Sequence, residues 1–196
     1  MPLPAGDVQL VQIVDAALAD AARRAGPWLV CRPGCTPCCH GAFAINALDA
    51  ARLRAGLEAL RASDPAAAAA IAERARAWIA AHAAEFPGDP QTGLLDQSDV
   101  GQARFEEFAN DAPCPLLSTG GLCGLYASRP MTCRVFGPPV RMGAGDALGC
   151  CELCFEGAGQ AEIADCEMAL PHALEESLLA ATGSEGETVV AFALVR

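Results

Sequence analysis

Apolar positions recur at helical spacing in three stretches of the first half of the chain. Over residues 7–25, "DVQLVQIVDAALADAARRA", Val8, Val11, Ile13, Ala17 and Leu18 mark a mostly apolar face, and Gly26-Pro27 ends the run. Residues 46–62, "NALDAARLRAGLEALRA", repeat the pattern with Leu53, Leu57 and Leu60 as the buried stripe. Asn46 is placed to cap that helix, and Asp49 falls where an acid suits the positive helix end. Asp64-Pro65 opens a third helix, with Asp64 as cap and Pro65 at the first helical position. Ile71, Ala75, Trp78 and Ile79 line one of its faces. The second and third helices are expected to form an antiparallel pair across a short turn.

The periodicity fades after residue 86. "PGDPQTGLLDQSDVG", residues 87–101, reads as a loop from its Pro, Gly and Asp content. "QARFEEFAND" fits a short helix and an extended segment equally. Residues 113–159 are rich in Gly, Pro and Cys and predict irregular chain with short strands at most. Residues 160–182 return to a helical pattern, bent near Pro171. The tail "TVVAFALV" reads as a buried strand or a last helical turn, and its β-branched start favours the strand. The whole predicts a mainly α fold: a helical scaffold with irregular cysteine-rich metal-binding loops and at most a few short strands. One domain is expected over residues 1–196: a helical part with the first Cys cluster (1–86), a Cys-rich irregular region (87–159), and a C-terminal helix and tail (160–196).

At 196 residues the chain can bury a real core without staples. Its net charge of −11 repels phosphate backbones, so nucleic acid is not an expected partner. All 13 basic residues are Arg. Without Lys there is no P-loop lysine, Schiff base or ammonium general base, and those enzyme classes are excluded. No apolar run reaches the roughly 18 residues of a membrane span. The start, "MPLPAGDVQLVQIVDAAL", lacks a basic segment and carries Asp7 where a signal peptide would be apolar, so a cytoplasmic protein is expected.

Cysteine changes the picture. There are 11, an odd number that forbids complete internal pairing, and in a reducing compartment crowded thiols are ligands rather than disulfides. "CRPGCTPCCHG" places Cys31, Cys35, Cys38 and Cys39 together, with Pro33, Gly34 and Pro37 opposing a helix. A compact knuckle of this kind aims backbone N–H groups at its sulfurs, and soft thiolates at this density select zinc, copper(I) or iron–sulfur clusters. Adjacent Cys38 and Cys39 suit one mononuclear ion poorly, because neighbouring side chains in extended chain point opposite ways. One of them is structural, or they serve a multinuclear centre or two centres. Cys114, Cys123 and Cys133 are spaced too widely for one knuckle and must be brought in by folding. Arg129 and Arg134 bracket Cys133, where guanidinium groups would offset thiolate charge; the other reading is two ordinary surface cations. Cys151 and Cys154 form a C-x2-C pair beside Cys150, either a second site or added ligands to the first. Cys166 lies in an expected helix and reads as plain core. His40 is the only histidine entertained as a ligand, with capping its alternative.

"CRPGCTPCC", "FAINALDAARL", "CPLL", "GLCGLY" and "RPMTCRVFG" together resemble the CxxCxxCC family, also called the YkgJ-type cysteine cluster family, over about residues 30–137. The resemblance implies a zinc- or iron-chelating protein that binds its metal through Cys31, Cys35, Cys38, Cys39, Cys114, Cys123 and Cys133. Flagellin lysine N-methylases look like larger relatives with a similar cluster, thought to be iron–sulfur. The expected function is therefore a metal-binding protein holding a 4Fe–4S type cluster, with redox or methyl-transfer roles. The alternative is a structural zinc module acting through a protein partner. A copper(I) buffer is disfavoured because the helices are almost free of Cys. A radical S-adenosylmethionine enzyme is disfavoured because Pro37 stands where an aromatic usually precedes the third Cys, and no strand–helix alternation is present.

Overall fold

A computed structural model describes residues 2–142, 147–184 and 186–196. In chain order its elements are α1 (Asp7–Ala25), β1 (Ala44–Ile45), α2 (Ala47–Ser63), α3 (Pro65–His82), β2 (Gly88–Asp89), β3 (Leu94–Leu95) and α4 (Asp99–Glu106). There follow α5 (Met131–Val135), β4 (Val140–Arg141), β5 (Leu148–Gly149), α6 (Gln160–Asp165), α7 (His172–Ala181), β6 (Thr188–Val189) and α8 (Val190–Val195). The fold is mainly α, and its strands form only two-residue antiparallel pairs. No helix among the described residues is long and apolar enough to cross a membrane.

The chain divides into two compact units. One is built on Gly34–Pro130 and Thr182–Arg196, the other on Pro4–Pro33 and Met131–Ala181. In the first unit α2 and α3 fold back on each other across Asp64 alone. The Asn46 side chain accepts the Asp49 N–H at 3.0 Å and the Asp64 side chain accepts the Ala67 N–H at 3.0 Å, so both expected caps form. α8 packs on both helices. Their shared core holds Leu53, Leu57, Ile71, Ala75, Val190 and Leu194, with Cys114 and Cys123 packed against it. Each fully buried leucine here contributes about 1.5–3 kcal/mol. β1 pairs with β6, Ala44 opposite Val189 and Ile45 opposite Thr188.

The tail departs from the favoured strand reading and follows the helical one over most of its length. Only Thr188–Val189 is strand, and Val190–Leu194 turns into a helix buried on every side. Pairing β6 with β1 satisfies its first backbone groups, after which a fully enclosed segment must bond to itself.

A close approach fixes the turn that follows the "GLCGLY" segment. A Cβ on Gly56 of α2 would lie 2.3 Å from Ser128 Oγ and 2.6 Å from Ser128 Cβ. Gly56→Ala gains about 1 kcal/mol of helix propensity, but overpacking costs about 1–3 kcal/mol. A net loss of roughly 1 kcal/mol is expected from urea unfolding, with Ser128→Gly relieving it. A Gly56→Ala protein more stable than the parent would contradict this packing.

In the second unit α1 packs with α5 and α7. The buried face of α1 is Leu10, Val14, Ala21 and Ala25, whereas Val8 and Ile13 are exposed, so the expected stripe is rotated around the helix. Residues 160–182 are two helices, α6 and α7, rather than one bent helix. Cys166 to Pro171 leave the helical path, and the Met168 N–H donates to Pro139 O at 2.8 Å. Within 113–159, otherwise irregular as expected, α5 is a short helix that carries Cys133.

Candidate metal centre

No disulfide joins any of the eleven cysteines. The first unit holds Cys35, Cys38, Cys39, Cys114 and Cys123; the second holds Cys31, Cys133, Cys150, Cys151, Cys154 and Cys166. The linear cluster "CRPGCTPCC" is therefore cut between Pro33 and Gly34.

In the first unit two loops are zipped together. A 3-10 turn, Pro37–Cys39, returns the chain so that the Cys39 N–H donates to Thr36 O at 2.8 Å. His40 Nδ1 lies 3.1 Å from the same carbonyl, a capping position. Cys39 O then accepts the Cys114 N–H at 2.8 Å, and the Gly41 N–H donates to Ala112 O at 2.9 Å. Gly41 sits at φ +98°, and a Cβ there would meet Asn110 O at 3.2 Å, so the junction requires glycine. Beyond it the chain doubles back, with Leu117 bridged to Cys123 and the Gly124 N–H donating to Leu116 O at 2.8 Å. Cys114 and Cys123 thus come within electrostatic reach of each other. At the tip of this loop, a Cβ on Gly121 would stand 3.6 Å from Thr36 Cγ2.

The thiols' surroundings anticipate a cation. Burial pushes Cys114 up to about 11, while N–H groups of Leu116 and Leu117 donate to its sulfur and Arg74 attracts its charge. Burial also raises Cys123, opposed by the Leu125 N–H and the Arg129 guanidinium. Cys38 is pushed well up, first by its hydrogen bond to the Cys39 thiol and then by burial. N–H donors and the Arg74 and Arg129 charges oppose the burial of Cys114 and Cys123, the kind of surroundings in which a thiolate serves a soft metal. The donor set therefore fits a zinc or iron centre. As placed, the thiols meet in pairs: among the described residues no three Cys, His, Asp or Glu side chains form a closed ligand set.

The two arginines are not surface cations. Arg129 is buried, with its guanidinium 4.0 Å from the Tyr126 ring centroid and Nη1 donating to Tyr126 O at 3.0 Å. Its charge acts on Cys123. Arg134 is 2 % exposed and donates through Nη1 to both carboxylate oxygens of Asp15, at 2.7 and 2.9 Å. Sequence reasoning missed Arg74, whose Nε donates to Pro115 O at 2.8 Å and so holds the Cys114 turn. It lies on α3, forty positions before Cys114, and nothing in its neighbourhood marks it.

In the second unit Cys150, Cys151, Cys154 and Cys166 share one small apolar cluster with Ala25 and Phe155. The Cys154 N–H closes a turn onto Cys151 O at 2.8 Å, and the Phe155 N–H donates to Trp28 O at 2.9 Å. Burial is the largest influence on the Cys154 thiol and raises it, as does its hydrogen bond with the Cys151 thiol, while the N–H groups of Val30 and Cys31 donate to its sulfur. Cys166, 4 % exposed, is core.

Residues 30–154 match the family model described as "Putative zinc- or iron-chelating domain". No curated protein and no solved structure matches the chain.

Proposed function

The chain belongs to the CxxCxxCC family of zinc- or iron-chelating domains, and on that premise we propose that its first unit holds an iron–sulfur cluster of the 4Fe–4S type. Four of Cys35, Cys38, Cys39, Cys114 and Cys123 are its donors. The supporting observation is the hydrogen-bonded junction of the 34–41 and 112–124 loops, which joins the Cys38–Cys39 turn to the Cys114 segment. Cys38 and Cys39 are adjacent, and a multinuclear centre offers them separate irons where a single zinc ion does not.

A bound cluster supplies one-electron transfer, and would serve redox work, including support of a methyl-transfer reaction. The chain's own groups set its poise. Hydrogen bonds to the sulfurs from Leu116, Leu117 and Leu125, with the charges of Arg74 and Arg129, favour the more negative, reduced state.

The test is purification without oxygen, followed by iron, zinc and sulfide analysis and an absorption spectrum. Iron and sulfide near four each, with a broad band around 400 nm, is the expected result. Zinc without sulfide or colour overturns it and leaves a structural zinc module that works through a protein contact.

A further inference from the structure

The second unit carries a pair of thiols that the first-unit centre does not use. We propose that Cys151 and Cys154 are a redox-active dithiol, which exchanges with low-molecular-weight disulfides and closes to an internal disulfide.

The two sulfurs are carried by one turn. The Cys154 N–H donates to Cys151 O at 2.8 Å, and a turn closed in this way brings its first and fourth Cα atoms within about 7 Å. A disulfide spans Cα atoms about 4.4–6.8 Å apart, so the bond forms with little movement of the backbone. The side chains already meet, because the Cys151 and Cys154 thiols are hydrogen-bonded to each other. Both ends of the turn are tied down: the Cys151 N–H donates to Gly137 O at 3.2 Å, and the Phe155 N–H to Trp28 O at 2.9 Å. Phe155 stands at φ +61°, a left-handed conformation that a non-glycine residue keeps only where its surroundings hold it.

The thiols differ in access, as an exchanging pair requires. Cys151 is half-buried, and exposed Glu152 and Leu153 follow it at the tip of the turn. Cys154 is 4 % exposed and lies among Ala25, Phe155 and Cys166. An incoming disulfide therefore meets Cys151 first and leaves Cys154 to resolve the adduct. The Cys151 sulfur, its proton given to water, attacks one sulfur of R–S–S–R. That S–S bond breaks, a mixed disulfide forms on Cys151, and RS⁻ leaves and takes up a proton. The Cys154 sulfur, its proton given to water, then attacks the Cys151 sulfur and expels the second RS⁻, which is protonated likewise. Two electrons pass from the protein to the small disulfide, which becomes two RSH. In the reverse direction Cys154 is the leaving sulfur, and the Val30 and Cys31 N–H groups that donate to it stabilise its charge.

The test uses the full chain, purified without oxygen and with its metal retained, in buffers of graded oxidised to reduced glutathione. Remaining thiols are alkylated and the chain is cut after Glu152, which separates Cys151 from Cys154, so that linked peptides report the bond by mass. Wild type is expected to form the Cys151–Cys154 bond reversibly, with two reduced glutathione molecules released per bond and the metal content unchanged. Cys154→Ser stops at a glutathione adduct on Cys151. Cys151→Ser slows the reaction of Cys154 by about tenfold or more, because the thiol that remains is buried. Both variants are expected to keep the metal content and helical ellipticity of wild type, which separates lost exchange from lost folding. Absence of the linked peptides from wild type at every glutathione ratio overturns the proposal, and so does a preferred bond from either residue to Cys150 or Cys166. Metal released in proportion to the bond overturns it as well, since the two thiols are then ligands. The iron–sulfur reading of the first unit is decided by its own iron and sulfide analysis, because exchange at this turn needs no metal.

Discussion

Cys38→Ser is expected to strip the metal from the first unit, and Cys114→Ser to do the same, while Cys166→Ser leaves metal content unchanged. A serine hydroxyl is a hard donor and stays protonated at neutral pH, so it cannot stand in for a soft thiolate. Altering a group that merely supports a ligand costs about 10–100-fold in affinity; loss of a ligand must cost more. Cys38 and Cys114 sit on the two loops that the Cys39–Cys114 backbone bond joins, so each substitution removes a donor without cutting the junction. Cys166 is buried among Ala25, Cys154 and Phe155. A hydroxyl there lowers the melting temperature, at a cost of about 1–3 kcal/mol, and leaves the donors of the first unit intact. The measurement is metal per chain after gel filtration without oxygen. Equal content in all three variants would sink the ligand assignment.

The helices of the first unit were legible because each carries both a period and a punctuation mark. Asn46 and Asp64 announced two helix starts, and both side chains make the capping bonds that their sequence context implies. Where residues face an interior on all sides the period vanishes, so the α8 segment could not be separated from a strand by its β-branched start. Helix α4 was undecided although Ser98 caps it through the Gly101 N–H at 3.1 Å. That cap sits inside a stretch rich in Pro, Gly and Asp, which masked it. The donor residues of the candidate site were legible by type, since four thiols within nine positions are the signature of a soft-metal knuckle. Their grouping was not. Cys31 and Cys35 are four positions apart yet belong to different units, while Cys39 and Cys114 are joined across more than seventy positions. Only the backbone path, turning at Gly34, Gly41 and Gly137, decides which thiols meet.

Arg52→Met is expected to cost about 3–5 kcal/mol, a larger stability loss than Gly56→Ala or Cys166→Ser brings. The "LDAARL" segment places Asp49 and Arg52 three positions apart on α2, and both side chains are 3 % exposed, with Arg52 Nη1 2.6 Å from Asp49 Oδ1. Removing the guanidinium leaves a carboxylate in the core beside Leu48 and Leu53, where the helix N-terminus answers only part of its charge. Against a typical total of about 5–15 kcal/mol, that loss alone brings the first unit near unfolding. The second change decides the cause. In Arg52→Met/Asp49→Leu no charge remains at these two positions, and two apolar side chains of similar volume recover most of the loss, since replacing a buried pair as a whole is often neutral. A double-mutant cycle by urea unfolding reads this as a coupling of several kcal/mol. If the double variant is less stable than Arg52→Met alone, the pair is held by partners other than each other, and the ion-pair account fails. Because β1 ends only two residues before α2 and begins four residues after His40, any loosening of this end of α2 also reaches the 34–41 loop. Metal retention in Arg52→Met should therefore fall with stability and return in the double variant.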